Sequence, residues 1–585
     1  MIGVSQANVR EAWRIALNQE IEEEVKKYPN INIITTDATS EPEKQKQDID
    51  KLLEFGIDLL IISPCDTGKL TEKIKDVYQG NIPVIVMDRG IEGFDYSLFI
   101  GPDNDMIGRQ AGEWVVQLLD GQGGRVLKLC GNSGSIQSQE RIKGFDSVVM
   151  DYPQIETSTF NMDTELKDKA YDAVLSMKGS LKEIHVIFAN CDYVAQGAYE
   201  ALESMGMEKG IQIVGSDGLN GKDGGVDMVM QGKIAATITC PTGGREAIQY
   251  AYSILRQESG VPKQVILRSR TITKGNAAQY LESLEKECFD KGETITVGYS
   301  QVGQESQWRL ANTHSIQEAA REFNVDLLFD DADQSQDKQI AAIRRFIEEK
   351  VDVIVVSPVV ETGWDEALME AKAAGIPVVM SDRKAETDEK DLITTYIGAD
   401  FLEEGRRAMR WIRDNIPSGG KVLNILELKG NQGASPTLER RKGFVEVLQE
   451  CPGYQIAYSE YGDFTYDGGK RIVEGYLERG GWDVDIIFAH NDDMALGAVE
   501  ALEDYGIVPG EDVKIISVDG TSDVFRAIIA GKINCTVECN PLLGPPLMKA
   551  IRDMVAGKEM PVRIITEEKV YDQSQAEEVI NQRAY

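Results

Sequence analysis

Residues 297–309 read VGYSQVGQESQWR, and residues 2–14 read IGVSQANVREAWR. Each stretch predicts a short buried strand, a polar turn, and a helix carrying Trp-Arg near its start. Trp308 lies 295 residues after Trp13, and Val297 lies 295 after Ile2, so the echo is in register. A period that long exceeds the roughly 20–50 residues of a solenoid unit. It matches a pair of domains, and the chain reads as a duplication.

The 585 residues are 42% hydrophobic and 27% charged, ordinary values for globular protein, so each copy can bury a core. A net charge of −35 excludes the basic footprint that nucleic acid requires, and disfavours adhesion to an anionic membrane surface. Eight scattered cysteines with no CxxC pair form no disulfide framework. No run of about 18 apolar residues exists to span a bilayer. Met1 leads straight into the first strand, which reads as a chain whose leader has been trimmed away.

Strands and helices alternate through the first copy. Ile31–Ile34 reads as a strand, and Ser40–Phe55 as a helix opened by a Ser40/Glu43 capping box. DLLIIS at 58–63 and PVIVM at 83–87 are continuous apolar strands of the kind that helices cover on both faces. Further strands are read at 125–129, 184–189, 214–218 and 236–239, with helices after Arg141 and at 194–205. The second copy repeats the order: DVIVVSP at 352–358, GIPVVMSDR at 375–383, ERRKGF at 439–444, IIFAHNDDMALGAVEAL at 486–502 and SVDG at 517–520. Such alternation predicts βαβ units with right-handed crossovers, hence doubly wound α/β lobes. The expected modules are 1–285 and 294–585, with a short charged link at 286–293 that keeps them packed or closely hinged.

Open parallel sheets bind ligands beyond the carboxyl ends of their strands. In the second copy that rule selects Ser300-Gln301, Trp308, Arg309, Asp382, Arg383, Arg440, Asn491, Asp519 and Glu538. Planar carboxylate, amide and guanidinium groups pair with neighbouring hydroxyls, and an aromatic face packs on a sugar's C–H face. Each residue also has a plainer reading: Trp308 as core, Asp382-Arg383 as an ion pair capping the sheet, Asp519 as turn chemistry. Their recurrence in both copies favours a site.

At these residues the chain resembles the type I periplasmic sugar-binding proteins of the ribose- and galactose-binding group. The second copy is most similar to galactofuranose-binding proteins, through SQVGQESQWR, SPVVETGW, GNQGAS, RKGF, GDFT, AHNDDM, SVDG and VECNP. The resemblance implies two Rossmann-like lobes per copy, joined by a three-strand hinge that closes over one sugar. It also implies an extracytoplasmic location, in the periplasm or as a cell-surface lipoprotein anchored through an N-terminal segment absent from this sequence, and delivery to an ABC-type permease. No enzyme activity or cofactor is implied. The implied contacts are Trp308, Arg309, Asp382, Arg383, Arg440, Asn491, Asp519 and Glu538, with Glu305, Phe464 and Trp364 as secondary candidates. The first copy keeps Trp13, Arg14, Asp88, Arg89, Arg141 and Asp217, but has Cys191, Thr239 and Met162 where the second has Asn491, Glu538 and Phe464. It is therefore expected to bind a different ligand, to bind weakly, or to serve as a scaffold.

Three histidines (His185, His314, His490) leave little material for His-based catalysis or metal binding, and no GxGxxG or GxxxxGK[ST] phosphate loop follows a strand. The acidic run 330–337 lacks the glycine and the terminal glutamate of a calcium loop, and reads as a loop and helix cap. A sensor ectodomain of a signalling kinase is the alternative function. A sugar-acting enzyme would need a carboxylate pair flanking a scissile bond.

Overall fold

The continuous apolar runs become central parallel strands. In this computed structural model, Leu59–Ile62 and Val353–Val356 are buried along their whole length, as strands covered on both faces must be. The structure describes residues 1–131, 135–162, 166–284, 294–389, 391–583 and 585. The chain divides into two compact units, Met1–Glu258 with Val265–Cys288, and Ser259–Gln264 with Phe289–Tyr585. The expected link at 286–293 lies outside the described residues.

In the second unit, one sheet runs Val325–Asp331, Ile295–Gln301, Val353–Val356, Val378–Ser381, Thr395–Gly398, Arg563–Ile565, all parallel. The other runs Tyr454–Tyr461, Leu423–Lys429, Ile486–Ala489, Lys514–Asp519, Cys535–Glu538, Val570–Asp572, with only the last strand antiparallel. The chain passes between these lobes three times: after Gly398, after Glu538, and between Ile565 and Val570. The first unit repeats the plan. Its second sheet runs Ile155–Asn161, Gly124–Cys130, Val186–Ala189, Gln212–Asp217, Ala236–Thr239, Thr271–Thr273, again with an antiparallel last strand. The cores repeat as well. Phe145 stacks on Phe188 with centroids 4.7 Å apart, and Phe444 on Phe488 at 4.3 Å.

Some local readings shift. The first-copy strand expected at 31–34 runs Ile33–Asp37. The helix expected at 40–55 runs Pro42–Glu54 behind Glu41, with no side-chain cap. Ser40 sits at φ 62° and its hydroxyl accepts from Asn8, so the capping box does not form. Arg141 lies inside the helix Ile136–Val149 rather than before it. The acidic run splits: Asp330 and Asp331 end a strand, and Ser335 caps the helix Gln336–Glu349.

One packing device places the site arginines. The helices Phe401–Asn415 and Ser435–Leu448 meet at Gly405 and Gly443, where an added Cβ would stand 2.0 Å from the Arg440 carbonyl oxygen and 1.9 Å from that of Leu402. Gly108 and Gly144 make the same contact in the first copy, at 1.9 Å from Arg141 O and 2.0 Å from Asp105 O. Backbone thus touches backbone directly behind Arg440 and Arg141. Gly443→Ala should destabilise the second unit by about 1–3 kcal/mol through overpacking. Gly475→Ala, in a helix with open space around it, should stabilise by up to about 1 kcal/mol. Urea melts of the two variants check the pair.

Candidate functional site

The polar residues picked out by the strand-end rule sit on unusual backbone. Asp382 follows the strand Val378–Ser381 at φ 66°, and Asp519 ends Lys514–Asp519 at φ 130°. Their first-copy counterparts, Asp88 and Asp217, hold φ 64° and 128°. Non-glycine residues there cost on the order of 1–3 kcal/mol and cluster at functional sites. Two such positions, repeated to within a few degrees in both copies, tie the strain to the cleft.

In the second copy these residues line a pocket between the two lobes, about 310 Å3 when the open solvent at its mouth is included. Glu305, Ser306, Trp308, Arg309, Asp382 and Arg383 line it from one lobe. Phe401, Pro436, Arg440, Phe464, Asn491, Asp519 and Cys539 line it from the other lobe and the hinge. Trp308 is 5% exposed and donates its indole N–H to Cys539 O at 2.6 Å, fixing a ring that lies under the Arg309 guanidinium at 4.8 Å. Phe464, at φ 59°, lies beneath both Arg383 and Arg440, at 5.5 and 5.9 Å.

Three buried guanidiniums are each matched by carboxylates. Arg309 contacts Asp382 Oδ2 at 2.7 Å and Glu305 Oε1 at 3.1 Å. Arg383 reaches the same Glu305 oxygen at 3.4 Å. Arg440 donates to Glu404 Oε2 at 2.6 Å and stands 3.7 Å from Asp519. Burial, with Arg309 and Arg440 close by, holds Arg383 down at about 10. Burial pushes Glu305 up, but Arg309 and Arg383 together outweigh it and hold the carboxyl below its usual range. Glu305 Oε2 and Arg383 Nε, both buried, have no hydrogen-bond partner among the described residues. An acceptor and a donor are therefore left unpaired in the cavity region, at a cost that a ligand hydroxyl would relieve.

Behind Arg440, Glu404, Cys539 and Glu568 bring their polar atoms within 4.8 Å of one another, all buried. Burial raises both glutamate carboxyls. At Glu404 the neighbouring Arg440 opposes that rise.

The first copy builds a related set. Arg14 donates to Ser63 at 2.8 Å and Asp88 at 3.1 Å, and Trp13 donates to Cys240 O at 2.7 Å. Arg141 reaches Asn190 O at 2.6 Å, Asp217 at 3.4 Å and Cys240 Sγ at 3.2 Å. Arg89 is turned to Cys65 O at 2.9 Å. Arg10 stands at the register position of Glu305, but Glu11 beside it meets Arg14 Nε at 3.0 Å, and Asp88 lies 3.1 Å from Arg14 and 3.7 Å from Arg89.

The family profile of the periplasmic binding protein domain matches residues 2–259 and again residues 297–559. The chain belongs to this family, with two copies of its domain. Over 292 residues it is 37% identical to the galactofuranose-binding protein YtfQ of Escherichia coli (strain K12), covering 49% of this chain and 91% of that one. It is 32% identical to the fructose import binding protein FruE of Bifidobacterium longum (strain NCC 2705), over 50% of this chain and 89% of that one. A solved Mycobacterium smegmatis protein in complex with β-D-fucofuranose is 49% identical, covering 50% of this chain and 96% of its own, with a TM-score of 0.49. Each relative spans about half of this chain and most of its own length, as single-domain relatives of a duplicated chain do.

Within the second periplasmic binding protein domain, seven of the eight expected contacts line the cavity, as do Glu305 and Phe464. Glu538 does not. It ends the strand Cys535–Glu538, and its carboxylate is taken up by Arg583, Tyr571, Tyr585 and the Lys569 N–H. Trp364 is fully buried and donates to Val360 O, away from the cavity. Asn491 lines the cavity but also caps the helix Asp492–Asp504, accepting from Met494 N and donating to Phe464 O. Cys191 makes no side-chain cap at that place in the first domain. Ser306, Phe401, Pro436 and Cys539 line the cavity without having been singled out. Ser306 and Cys539 lie inside the quoted motifs SQVGQESQWR and VECNP, whereas Phe401 and Pro436 carry no polar signal.

Two outcomes follow from this electrostatic arrangement. Glu404→Ala leaves Arg440 buried beside fewer charges and should cost about 3–5 kcal/mol, read by thermal melting. Burial holds Asp519 well above the ordinary aspartate value of 3.8. A carboxyl raised on folding binds its proton more tightly in the folded state, so its contribution is present below that ordinary value and is lost as pH rises through the raised one. The ligand-free melting temperature of Asp519→Asn should therefore fall less, or rise more, with pH above 4 than that of the wild type.

Proposed function

We propose that the second copy, residues 294–585, captures one neutral monosaccharide by closing its lobes, and hands it to an ABC-type membrane permease outside the cytoplasm. The first copy is taken as residues 1–285 and the link as 286–293. The observation that carries the reading is the charge balance of the cavity. Arg309, Arg383 and Arg440 each already have a carboxylate partner. A phosphorylated or acidic sugar would have to displace one of these buried pairs. A neutral polyol needs only the remaining hydrogen-bonding capacity of the same groups, with Trp308 and Phe464 as apolar walls. A furanose is the favoured ring because of the likeness to a galactofuranose-binding protein.

Trp308, Arg309, Asp382, Arg383, Arg440, Asn491 and Asp519 are the proposed contacts. Arg14, Asp88, Arg89, Arg141, Asp217 and Trp13 would serve the first copy, which has Arg10 and Cys191 at the register positions of Glu305 and Asn491 and is assigned a different ligand, weak binding or a supporting role. Binding without turnover fits the carboxylates. Glu305 and Asp382 share Arg309, so neither is an unpaired acid of the kind that glycoside cleavage uses.

Titration calorimetry of the full chain against pentoses, hexoses and their furanose forms tests this. One neutral sugar should bind, and Asp519→Ala should weaken it by about 10- to 100-fold, the loss of a hydrogen bond to a charged or buried polar group. Equal affinity for the phosphorylated form, or unchanged affinity in Asp519→Ala and Asp382→Ala alike, would overturn the site.

A further inference from the structure

Outside the cavity, a second set of contacts joins the two lobes of the second copy. Lys384 follows Arg383 on the first lobe. Its ammonium meets both carboxylate oxygens of Glu439 at 2.8 and 2.6 Å, and its backbone N–H donates to Ser435 Oγ at 2.9 Å. Ser435 and Glu439 begin the helix Ser435–Leu448 of the other lobe. Beside them, Glu361 N donates to Gly433 O at 3.1 Å, and Asn431 donates to Gln334 at 3.3 Å. Lys384 also stands 5.3 Å over the Tyr396 ring, and it and Glu439 are each only a quarter exposed.

None of Lys384, Glu439, Ser435 or Glu361 lines the cavity, so none of these contacts includes a group that faces a ligand there. The duplication supplies an internal comparison. Gly90 stands at the place of Lys384 and Ile136 at that of Ser435, with Ile136 48% exposed. Glu140 keeps the position of Glu439, but its carboxyl bonds to Asn104 of its own lobe. The first copy thus cannot make the same pair.

We propose that Lys384, Glu439 and Ser435 are a latch that holds the second copy closed independently of ligand, and so sets how much of it is closed before a sugar arrives. This rests on the reading that the second copy binds by lobe closure. A ligand's apparent affinity scales with the populated fraction of the competent state. The latch raises that fraction, or slows escape once a sugar is enclosed. The first copy has no such Lys–Glu pair, with Gly90 at the place of Lys384.

The test uses the full chain carrying two spin labels on ketone-bearing unnatural residues at exposed positions 348 and 478, one on each lobe. Interlobe distances are read by pulsed electron resonance without ligand. The wild type should show a closed population that Lys384→Met and Glu439→Gln each reduce by about 2- to 5-fold, with the double variant no worse than either single one. Sugar dissociation should quicken by a similar factor. A ligand-free wild type that is wholly open, or a distance distribution unmoved by both variants, would overturn the latch. If no sugar binds, the proposed function fails, while the ligand-free distances still decide the latch.

Discussion

A buried guanidinium is tolerable only beside a carboxylate, and the second copy buries three of them around one small cavity. Removing an ion of this kind from water costs several kcal/mol even after relaxation. That cost is met in pairs: Arg309 with Asp382 and Glu305, Arg383 with Glu305, Arg440 with Glu404. Glu305 serves two arginines through one oxygen and leaves the other unpaired. The result is a cavity rich in directional hydrogen-bonding groups yet close to electrically balanced, which is the environment a neutral polyhydroxylated ligand requires.

The rest of the fold serves that arrangement. Parallel strands end at the cleft and turn through strained aspartates at matching φ in both copies. Paired glycines press two helix backbones together directly behind Arg440 and Arg141. Hinge crossings carry Cys539 and Glu568 past Glu404, where burial raises both glutamate carboxyls. These features recur because the duplicated sequence repeats its backbone requirements. Among the side chains that differ, Glu305 against Arg10 and Asn491 against Cys191 touch the cavity or cap the helix beside it.

The duplication, the α/β class and most of the polar cavity lining were legible because each rests on short-range pattern: apolar runs, and polar residues immediately after them. Glu538 was misplaced for an instructive reason. It obeys the strand-end rule, but the distant Arg583 and Tyr585 fold back and claim its carboxylate, a long-range contact with no local signal. Phe401 and Pro436 were missed because apolar walls look like core in a sequence. The Ser40/Glu43 spacing suggested a cap, yet Ser40 is held in a left-handed turn and bonded by Asn8 instead. Asn491 shows the opposite limit, being a cavity wall and a helix cap at once.

The most direct test of the account is a crystal structure of the chain grown with galactofuranose. It should show a single sugar ring in the second copy, held by Arg309, Asp382, Arg440 and Asp519, with a hydroxyl placed between Glu305 Oε2 and Arg383 Nε. A sugar bound elsewhere, or an unoccupied second-copy cavity at saturating ligand, would contradict the claim that its balanced buried charges are a neutral-sugar site.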